Sequence, residues 1–203
     1  MVMNASILVE LCQSAYSKSP DISDDLGVAQ AILHNTDRAL VVAFRGTEPT
    51  QINDDLADLE LGPLTVPGLG LVHQGFWAAA SRIAPIVADR AGDLPLYLTG
   101  HSLGGAIAIA LAAYRRLNDT PTQGVITFGA PRVGIGVSLK HALATTPLTL
   151  YRHRADIVPL LPPNVSPLLD WQHPVSLTHL GEAGLVPSIE DHAIASYRAA
   201  LTL

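Results

Sequence analysis

Ser102 lies within Gly100-His101-Ser102-Leu103-Gly104, a pattern that suits nucleophilic chemistry. A short apolar run, residues 96–99, precedes this segment, and a small-residue run typical of a helix, 106–113, follows it. The flanking glycines remove Cβ atoms that would obstruct such a tight turn, so the hydroxyl can stand clear of a sheet. The following helix would point its N-terminal N–H groups at an anion formed there. Gly-x-Ser-x-Gly alone is weak evidence, but in this strand-to-helix context it predicts an acyl-transfer nucleophile.

A serine hydroxyl needs a neighbouring base, normally a histidine that a carboxylate orients. A strand-to-helix turn that presents a serine in this way is called a nucleophile elbow. In sites built on such an elbow, the acid and then the histidine follow the serine along the chain. Of the eight histidines, that order excludes His34, His73, His101, His141 and His153. It leaves His173, His179 and His192 as candidate bases. The residues favour His192, which we place in the first turn of the last helix, but they keep the other two open.

The candidate acid is best sought in a loop that follows a strand. Asp156 comes directly after the strand-like run 148–152, where a parallel sheet would present a functional carboxylate. Asp119 follows a helical run and Asp170 lies in a Pro-rich segment, so both are weaker candidates. We therefore expect Asp156 to orient the histidine.

An acyl-transfer site also needs two N–H groups where negative charge develops. Leu103, the residue after the nucleophile, supplies the first by its position. The buried strand-like run 41–44 leads into Arg45-Gly46-Thr47, a natural place for the second donor. We expect Thr47 to donate its N–H, and its hydroxyl as well.

The elements that must position these residues alternate between strands and helices, which predicts a mostly parallel sheet with helices on both faces. The expected helices are 4–17, 75–90 with Pro85 inside it, 104–117 and 190–201. The expected strands are 30–33 and 39–44 as a hairpin, then 96–99, 125–128 and 148–152. A late edge hairpin of 175–180 with 184–186 is also expected, after a Pro-rich loop at 159–167.

Composition limits the function classes further. The 203 residues suit a single domain, 1–203, and 48% of them are hydrophobic, as in a sheet covered on both faces. No apolar run reaches the roughly 18 residues of a membrane span. The net charge is −6 without a Lys/Arg cluster, which argues against nucleic acid as a partner. The single Cys12 excludes an internal disulfide, and no residue cluster with metal-ligand spacing or cofactor motif is present.

The motifs together resemble those of the class 3 (fungal-type) lipase family of α/β-hydrolases. The matching segments, in chain order, are VVAFRGT (41–47), VHQGF (72–76), LTGHSLGGAIA (98–108), ITFGAPRVG (126–134), DIVPLLPP (156–163) and DHAIASY (191–197). The resemblance spans nearly the whole chain. GHSLGGA with FGAPRVG is far more specific than the elbow alone.

The resemblance implies an α/β-hydrolase fold and a catalytic triad of Ser102, Asp156 and His192. It also implies Thr47 and Leu103 as the oxyanion hole, and a serine carboxylic-ester hydrolase, a lipase or esterase, acting on acylglycerols without metal or cofactor. His73 and His101 are expected to have supporting roles. The same machinery would serve a phospholipase, a feruloyl esterase or a polyester hydrolase, and the alternative outside enzymes is a non-catalytic relative that binds a lipid or a partner.

The segment that would form a lid, about 48–60, departs from the family pattern. Its apolar residues fall on one helical face and the opposite face is acidic, without a tryptophan. This predicts a mobile cover and only transient contact with a lipid interface. The polypeptide is short beside many family members, which suggests a trimmed lid and a preference for short to medium acyl groups. The N-terminus lacks a signal-peptide pattern, so we expect a cytoplasmic protein, or a secreted one whose leader was removed. Oligomeric state is left open.

Overall fold

The computed structural model describes residues 3–47, 62–164, 169–182, 184 and 186–202. Helix α1, Ala5–Ser17, begins at Asn4, whose side chain accepts a hydrogen bond from the Ser6 N–H at 2.9 Å. The strands of the main sheet are β1 Ile22–Ser23, β2 Gln30–Thr36, β3 Ala39–Phe44, β6 Leu96–His101, β7 Gly124–Phe128, β9 Leu148–His153 and β11 Leu177–Leu180. A smaller sheet contains β4 Pro63–Val66, β5 Gly70–His73, β8 Gly134–Ile135 and β10 Trp171–Gln172. The remaining helices are α2 Gln74–Ala91, α3 Leu103–Leu117, α4 Ser138–Ala142 and α5 Ile194–Leu201.

The main sheet has the strand order β1-β2-β3-β6-β7-β9-β11. Strands β3, β6, β7, β9 and β11 run parallel to one another, whereas β2 is antiparallel to β3 and β1 is antiparallel to β2. This is the α/β-hydrolase fold that the sequence predicts. The carboxyl ends of the parallel strands therefore meet along one edge, where Ser102 and Asp156 follow β6 and β9.

Helices cover both faces of this sheet, and the alternation along β3 shows it. Leu40, Val42 and Phe44 point into the larger core with α2 and α3, whereas Val41 points into a second core with α1 and α5. Helix α3 is buried from Gly104 to Ala113, about two thirds of its length, which explains the small and apolar residues there. No helix in the described part of the chain is both long and apolar enough to cross a membrane.

Cys12 is a core residue, as its sequence context suggests. Its thiol lies on α1 against the Thr99 hydroxyl at 3.3 Å. Burial raises the pKa of this thiol to about 12, so it stays protonated and chemically inert.

Several sequence predictions of local structure need correction. Strand β11 pairs in parallel with β9, and Gly184 and Val186 lie outside any strand, so the late hairpin of 175–180 with 184–186 was wrong. The last helix begins at Ile194 and not at residue 190, because Glu190–His192 forms a separate 3₁₀ turn. The smaller sheet was not predicted, since two of its strands are only two residues long. The expected lid, 48–60, lies outside the described residues.

A half-buried histidine in the loop between β9 and β11 should make the fold sensitive to acid. The Nε2 atom of His173 lies 2.7 Å from the Pro159 carbonyl, and burial lowers the pKa of His173 to about 4. The unfolded chain takes up this proton near pH 6.5 and the folded chain only near pH 4. The contribution of His173 to the free energy of unfolding is therefore fully present above about pH 6.5. It is lost as the pH drops to about 4, which lowers the free energy of unfolding by up to about 3 kcal/mol.

Urea unfolding between pH 7.5 and pH 4 tests this expectation. His173→Gln keeps an N–H donor for the Pro159 carbonyl but cannot titrate, so its stability should depend less steeply on pH. Equal slopes for the two proteins would show that His173 is not the group responsible.

Candidate active site

The candidate nucleophile occupies a strained turn between β6 and α3. Ser102 has φ 56° and ψ −130°, a conformation that costs side-chain-bearing residues about 1–3 kcal/mol. Its N–H donates to the Phe128 carbonyl at the end of β7 at 3.0 Å, which fixes the turn to the neighbouring strand. The hydroxyl thus stands at the carboxyl edge of the sheet, at the start of α3.

Two glycines allow α3 to start so close to the sheet. A Cβ atom on Gly100 would collide with the backbone of Gly104, and one on Gly104 would collide with the carbonyl oxygen of Phe44. No side chain can be accommodated at either position without moving backbone. The Gly-x-Ser-x-Gly spacing is therefore a packing requirement between β3, β6 and α3.

The structure brings Ser102, His192 and Asp156 together in one hydrogen-bonded chain. The Ser102 Oγ and the His192 Nε2 are 2.8 Å apart, and the His192 Nδ1 and the Asp156 Oδ2 are also 2.8 Å apart. A carboxylate only accepts hydrogen bonds, so Nδ1 carries the proton of the neutral ring. Nε2 then presents its lone pair to the serine hydroxyl. This is the tautomer that a general base for Ser102 must have.

The Asp156 carboxylate is fully buried and satisfied by three donors. Besides His192, the Tyr197 hydroxyl donates to Oδ2 at 2.5 Å and the Val158 N–H donates to Oδ1 at 2.9 Å. The loop around Asp156 also pairs with Ser188 on the segment that leads to His192. The carboxylate and the imidazole are therefore placed by the same local packing.

Tyr197 is a permanent donor to this carboxylate. Burial raises the pKa of its hydroxyl well above 10, and the negative charge of Asp156 raises it further. The phenol therefore stays protonated at any pH at which an ester hydrolase would operate. This role was not predicted from the residue pattern, although Tyr197 lies within the DHAIASY segment.

The segment predicted to carry the second oxyanion donor runs beside the elbow. A Cβ atom on Gly46 would lie 3.0 Å from the Ser102 Cβ and 2.7 Å from the His101 carbonyl oxygen. Thr47 follows directly, and Leu103 is the first residue of α3. Thr47 thus follows a residue that packs against Ser102, and Leu103 follows Ser102 itself.

The rival acids and bases lie elsewhere. His179 is exposed on β11, and the His173 ring bonds to the Pro159 carbonyl. Asp119 is exposed beyond the end of α3, and Asp170 is exposed beside Gln172. Of the candidates that the sequence left open, only His192 and Asp156 join the serine. Within the described residues, no group of three or more His, Cys, Asp or Glu side chains could hold a metal ion.

The family model described as Lipase (class 3) matches residues 41–166, more than half of the chain. The chain belongs to the class 3 lipase family.

The individual relatives of this chain are named as lipases. It is 31% identical to a lipase of Rhizomucor miehei, over 64% of this chain and 39% of that protein. It is 35% identical to secreted mono- and diacylglycerol lipase 1 of Fusarium solani, over 64% of this chain and 41% of that protein. The chain therefore spans less than half the length of these curated relatives.

Solved structures resemble this family member in fold. A mutant form of MDLA from Penicillium cyclopium superposes with a TM-score of 0.66 at 20% identity, over 92% of this chain and 80% of that one. A triacylglycerol lipase described as having a serine protease triad at its catalytic centre superposes with a TM-score of 0.56 at 27% identity, over 66% of this chain and 56% of that one.

The contact between Gly129 and the His192–Asp156 pair predicts a loss of activity in Gly129→Ala. Gly129 has φ +63°, and an added Cβ would lie 2.8 Å from the His192 Cε1 and 2.9 Å from the Asp156 Oδ2. The ring must then shift, and a displacement near 1 Å costs about 100-fold in turnover. Measuring kcat on p-nitrophenyl butyrate tests this expectation.

Gly136→Ala is the matched control. Gly136 has φ +65°, and an added Cβ would meet nothing within 4 Å, so the control carries the same backbone strain without the collision. Equal losses of kcat in the two variants would trace the effect to backbone strain and contradict the proposed clash.

Removing the tyrosine hydroxyl should weaken the placement of Asp156. In Tyr197→Phe the Oδ2 atom loses one of its two hydrogen bonds inside the protein, so we expect kcat to fall about 10-fold, equivalent to about 1.4 kcal/mol. Tyr114→Phe is the control and should retain full activity, because the Tyr114 ring packs against Trp77 beside the larger core and Tyr197 belongs to the second core. A Tyr197→Phe enzyme with unchanged kcat would show that the hydroxyl is dispensable.

Proposed function

We propose that this protein is a serine carboxylic-ester hydrolase, a lipase or esterase that cleaves acylglycerols or similar acyl esters. The observation that carries the proposal is the unbroken chain of hydrogen bonds from Ser102 through His192 to Asp156. The imidazole in this chain already has the tautomer that a serine nucleophile requires. Family membership supports the same reading.

The first half-reaction acylates the serine. Ser102 attacks the ester carbonyl while His192 Nε2 takes the hydroxyl proton, and Asp156 stabilises the imidazolium that results. The N–H groups of Thr47 and Leu103 hold the tetrahedral oxyanion, and each such donor stabilises the transition state by about 3–4 kcal/mol. The imidazolium then protonates the leaving alcohol, and the acyl group stays on Ser102.

The second half-reaction releases the acyl group. Water takes the place of the alcohol, His192 removes a proton from it, and the hydroxide attacks the acyl-enzyme at the same oxyanion site. Collapse of the intermediate returns the proton to Ser102 and frees the carboxylic acid. No step requires a metal ion or an organic cofactor.

The names of the relatives support the proposed substrate class. The Fusarium solani relative is named as a mono- and diacylglycerol lipase and one superposed structure is described as a triacylglycerol lipase, which favours acylglycerols over aromatic esters or polyesters. The sequence adds the hypothesis of short to medium acyl chains. The Fusarium solani relative is named as a secreted enzyme, which favours the secreted alternative for this protein.

Covalent labelling tests the nucleophile directly. A fluorophosphonate probe should label the intact protein, and Ser102→Ala should abolish both labelling and hydrolysis of tributyrin. Intact protein that neither reacts with the probe nor hydrolyses esters would favour the non-catalytic relative. Labelling that persists in Ser102→Ala would refute the assignment of the nucleophile.

The base is tested by comparing two histidine variants. His192→Ala should lower kcat by at least about 1,000-fold, as loss of a catalytic-triad histidine does. His179→Ala is the matched control and should retain full activity, because this histidine is exposed on β11 and lies outside the hydrogen-bonded chain of Ser102, His192 and Asp156. The reverse result would reassign the base to His179.

A further inference from the structure

His101, which precedes Ser102 in the chain, is buried and bonded at both ring nitrogens. Its Nδ1 lies 2.6 Å from the Tyr16 hydroxyl, and its Nε2 lies 2.7 Å from the carbonyl oxygen of His192. The two imidazole rings are stacked, with centroids 4.5 Å apart and planes inclined by 30°. A chain of contacts therefore runs from α1 through β6 to the backbone of the candidate base.

The partners fix the protonation of the His101 ring. A carbonyl oxygen only accepts, so Nε2 must carry a proton that it donates to His192. Burial lowers the pKa of His101 well below its ordinary value, and the nearby His192 lowers it further, so the ring stays neutral. A neutral ring has one N–H, so Nδ1 is an acceptor and the Tyr16 hydroxyl is the donor.

The backbone of His192 is bonded on both sides, since its N–H donates to the Ile189 carbonyl at 3.0 Å and its carbonyl accepts from His101. His192 ends the three-residue turn Glu190–His192, and Ala193 after it is extended, with φ −56° and ψ 129°. The ring of His192 is held by Asp156, while His101 holds its carbonyl. Both constraints are needed to fix an imidazole in position and in orientation, because a side chain can rotate about a backbone that shifts.

Tyr16 reaches this contact from α1, outside the residues that match the family model. Its hydroxyl also faces the segment after β3, because a Cβ atom on Gly46 would collide with it. One hydroxyl thus lies between the strand end that precedes Thr47 and the ring that supports His192.

We infer that Tyr16 and His101 form a positioning relay for the base: the tyrosine hydroxyl sets the tautomer of His101, whose Nε2–H then holds the carbonyl of His192 so that its ring meets Ser102. Neither residue touches the substrate, and both act through His192. The inference rests on the proposed function, since it assigns residues to the hydrolysis that Ser102 would perform.

The neutral state of His101 is also part of the relay. During hydrolysis His192 becomes an imidazolium, and a second positive charge at a centroid distance of 4.5 Å would oppose that step. A buried neutral ring supplies a donor for the carbonyl without adding charge. Lysine or arginine at this position would supply the donor but not the neutrality.

The first test compares two tyrosines. In Tyr16→Phe, His101 Nδ1 loses its donor, and the tautomer that cannot donate to His192 becomes populated. We expect kcat per active site, counted by fluorophosphonate titration, to fall about 10-fold with KM within about 2-fold, because a misplaced base affects the chemical step. Tyr114→Phe is the control for loss of a phenol hydroxyl away from the site and should keep the wild-type kcat.

The second test varies the donor to the carbonyl. His101→Gln retains an N–H near the Nε2 position and should keep at least about a tenth of the wild-type kcat, whereas His101→Leu should fall about 100-fold. The low-field proton resonance of His192 Nδ1–H should weaken in His101→Leu and persist in His101→Gln. A residue needed only for folding would change the number of titrated sites and not kcat per site.

A double-mutant cycle joins the two tests. If Tyr16 acts through His101, Tyr16→Phe should cost nothing further in the His101→Leu background. An undiminished 10-fold cost there, or a Tyr16→Phe enzyme equal to Tyr114→Phe, would overturn the relay. Should His101→Leu fail to fold, the cycle is run in His101→Gln, where Tyr16→Phe should again cost less than 10-fold because glutamine has no tautomer to set.

The wild-type controls separate the relay from the proposed function. Wild-type protein that reacts with the probe and turns over ester supports the hydrolase whatever the variants do. Wild-type protein that does neither would contradict both the hydrolase function and the relay. Active wild-type protein whose relay variants are equally active would contradict the relay alone.

Discussion

The close approach of α3 to the end of β6 is the constraint on which the rest of the site depends. Gly100 and Gly104 let backbone pack against backbone, and the residue between them is forced into a strained conformation. The strain is sustained because Ser102 is also bonded to the end of β7 and the helix that follows it is buried from Gly104 to Ala113. A serine held in this way presents its hydroxyl without needing to move.

The imidazole opposite this hydroxyl is held from several directions by buried polar groups. Asp156 holds the ring, Gly129 leaves room for it, and His101 holds the backbone carbonyl. The Tyr197 hydroxyl donates a further hydrogen bond to the Asp156 carboxylate. Each of these groups is buried and each has a partner, so the polar network rigidifies the site at the carboxyl edge of an otherwise apolar sheet.

The sequence predicted much of the fold because its signals are local. Strand runs such as 39–44 and the helix after the elbow can be read from hydrophobic periodicity and glycine spacing. The small sheet was missed because strands as short as Gly134–Ile135 carry no periodicity. The edge strand Leu177–Leu180 was given the wrong partner, because pairing between distant segments leaves no local pattern.

What the sequence by itself determined is the elbow at Ser102 and the chain order in which an acid and a histidine must follow it. Those features depend on backbone sterics within a few residues and on the direction of successive strands. Residue patterns without the family resemblance could not choose among three histidines or find Tyr16, 85 positions from the ring it contacts. Only the tertiary structure decides such contacts, because a hydrogen bond depends on distances of a few tenths of an ångström between elements whose separation along the chain does not specify them.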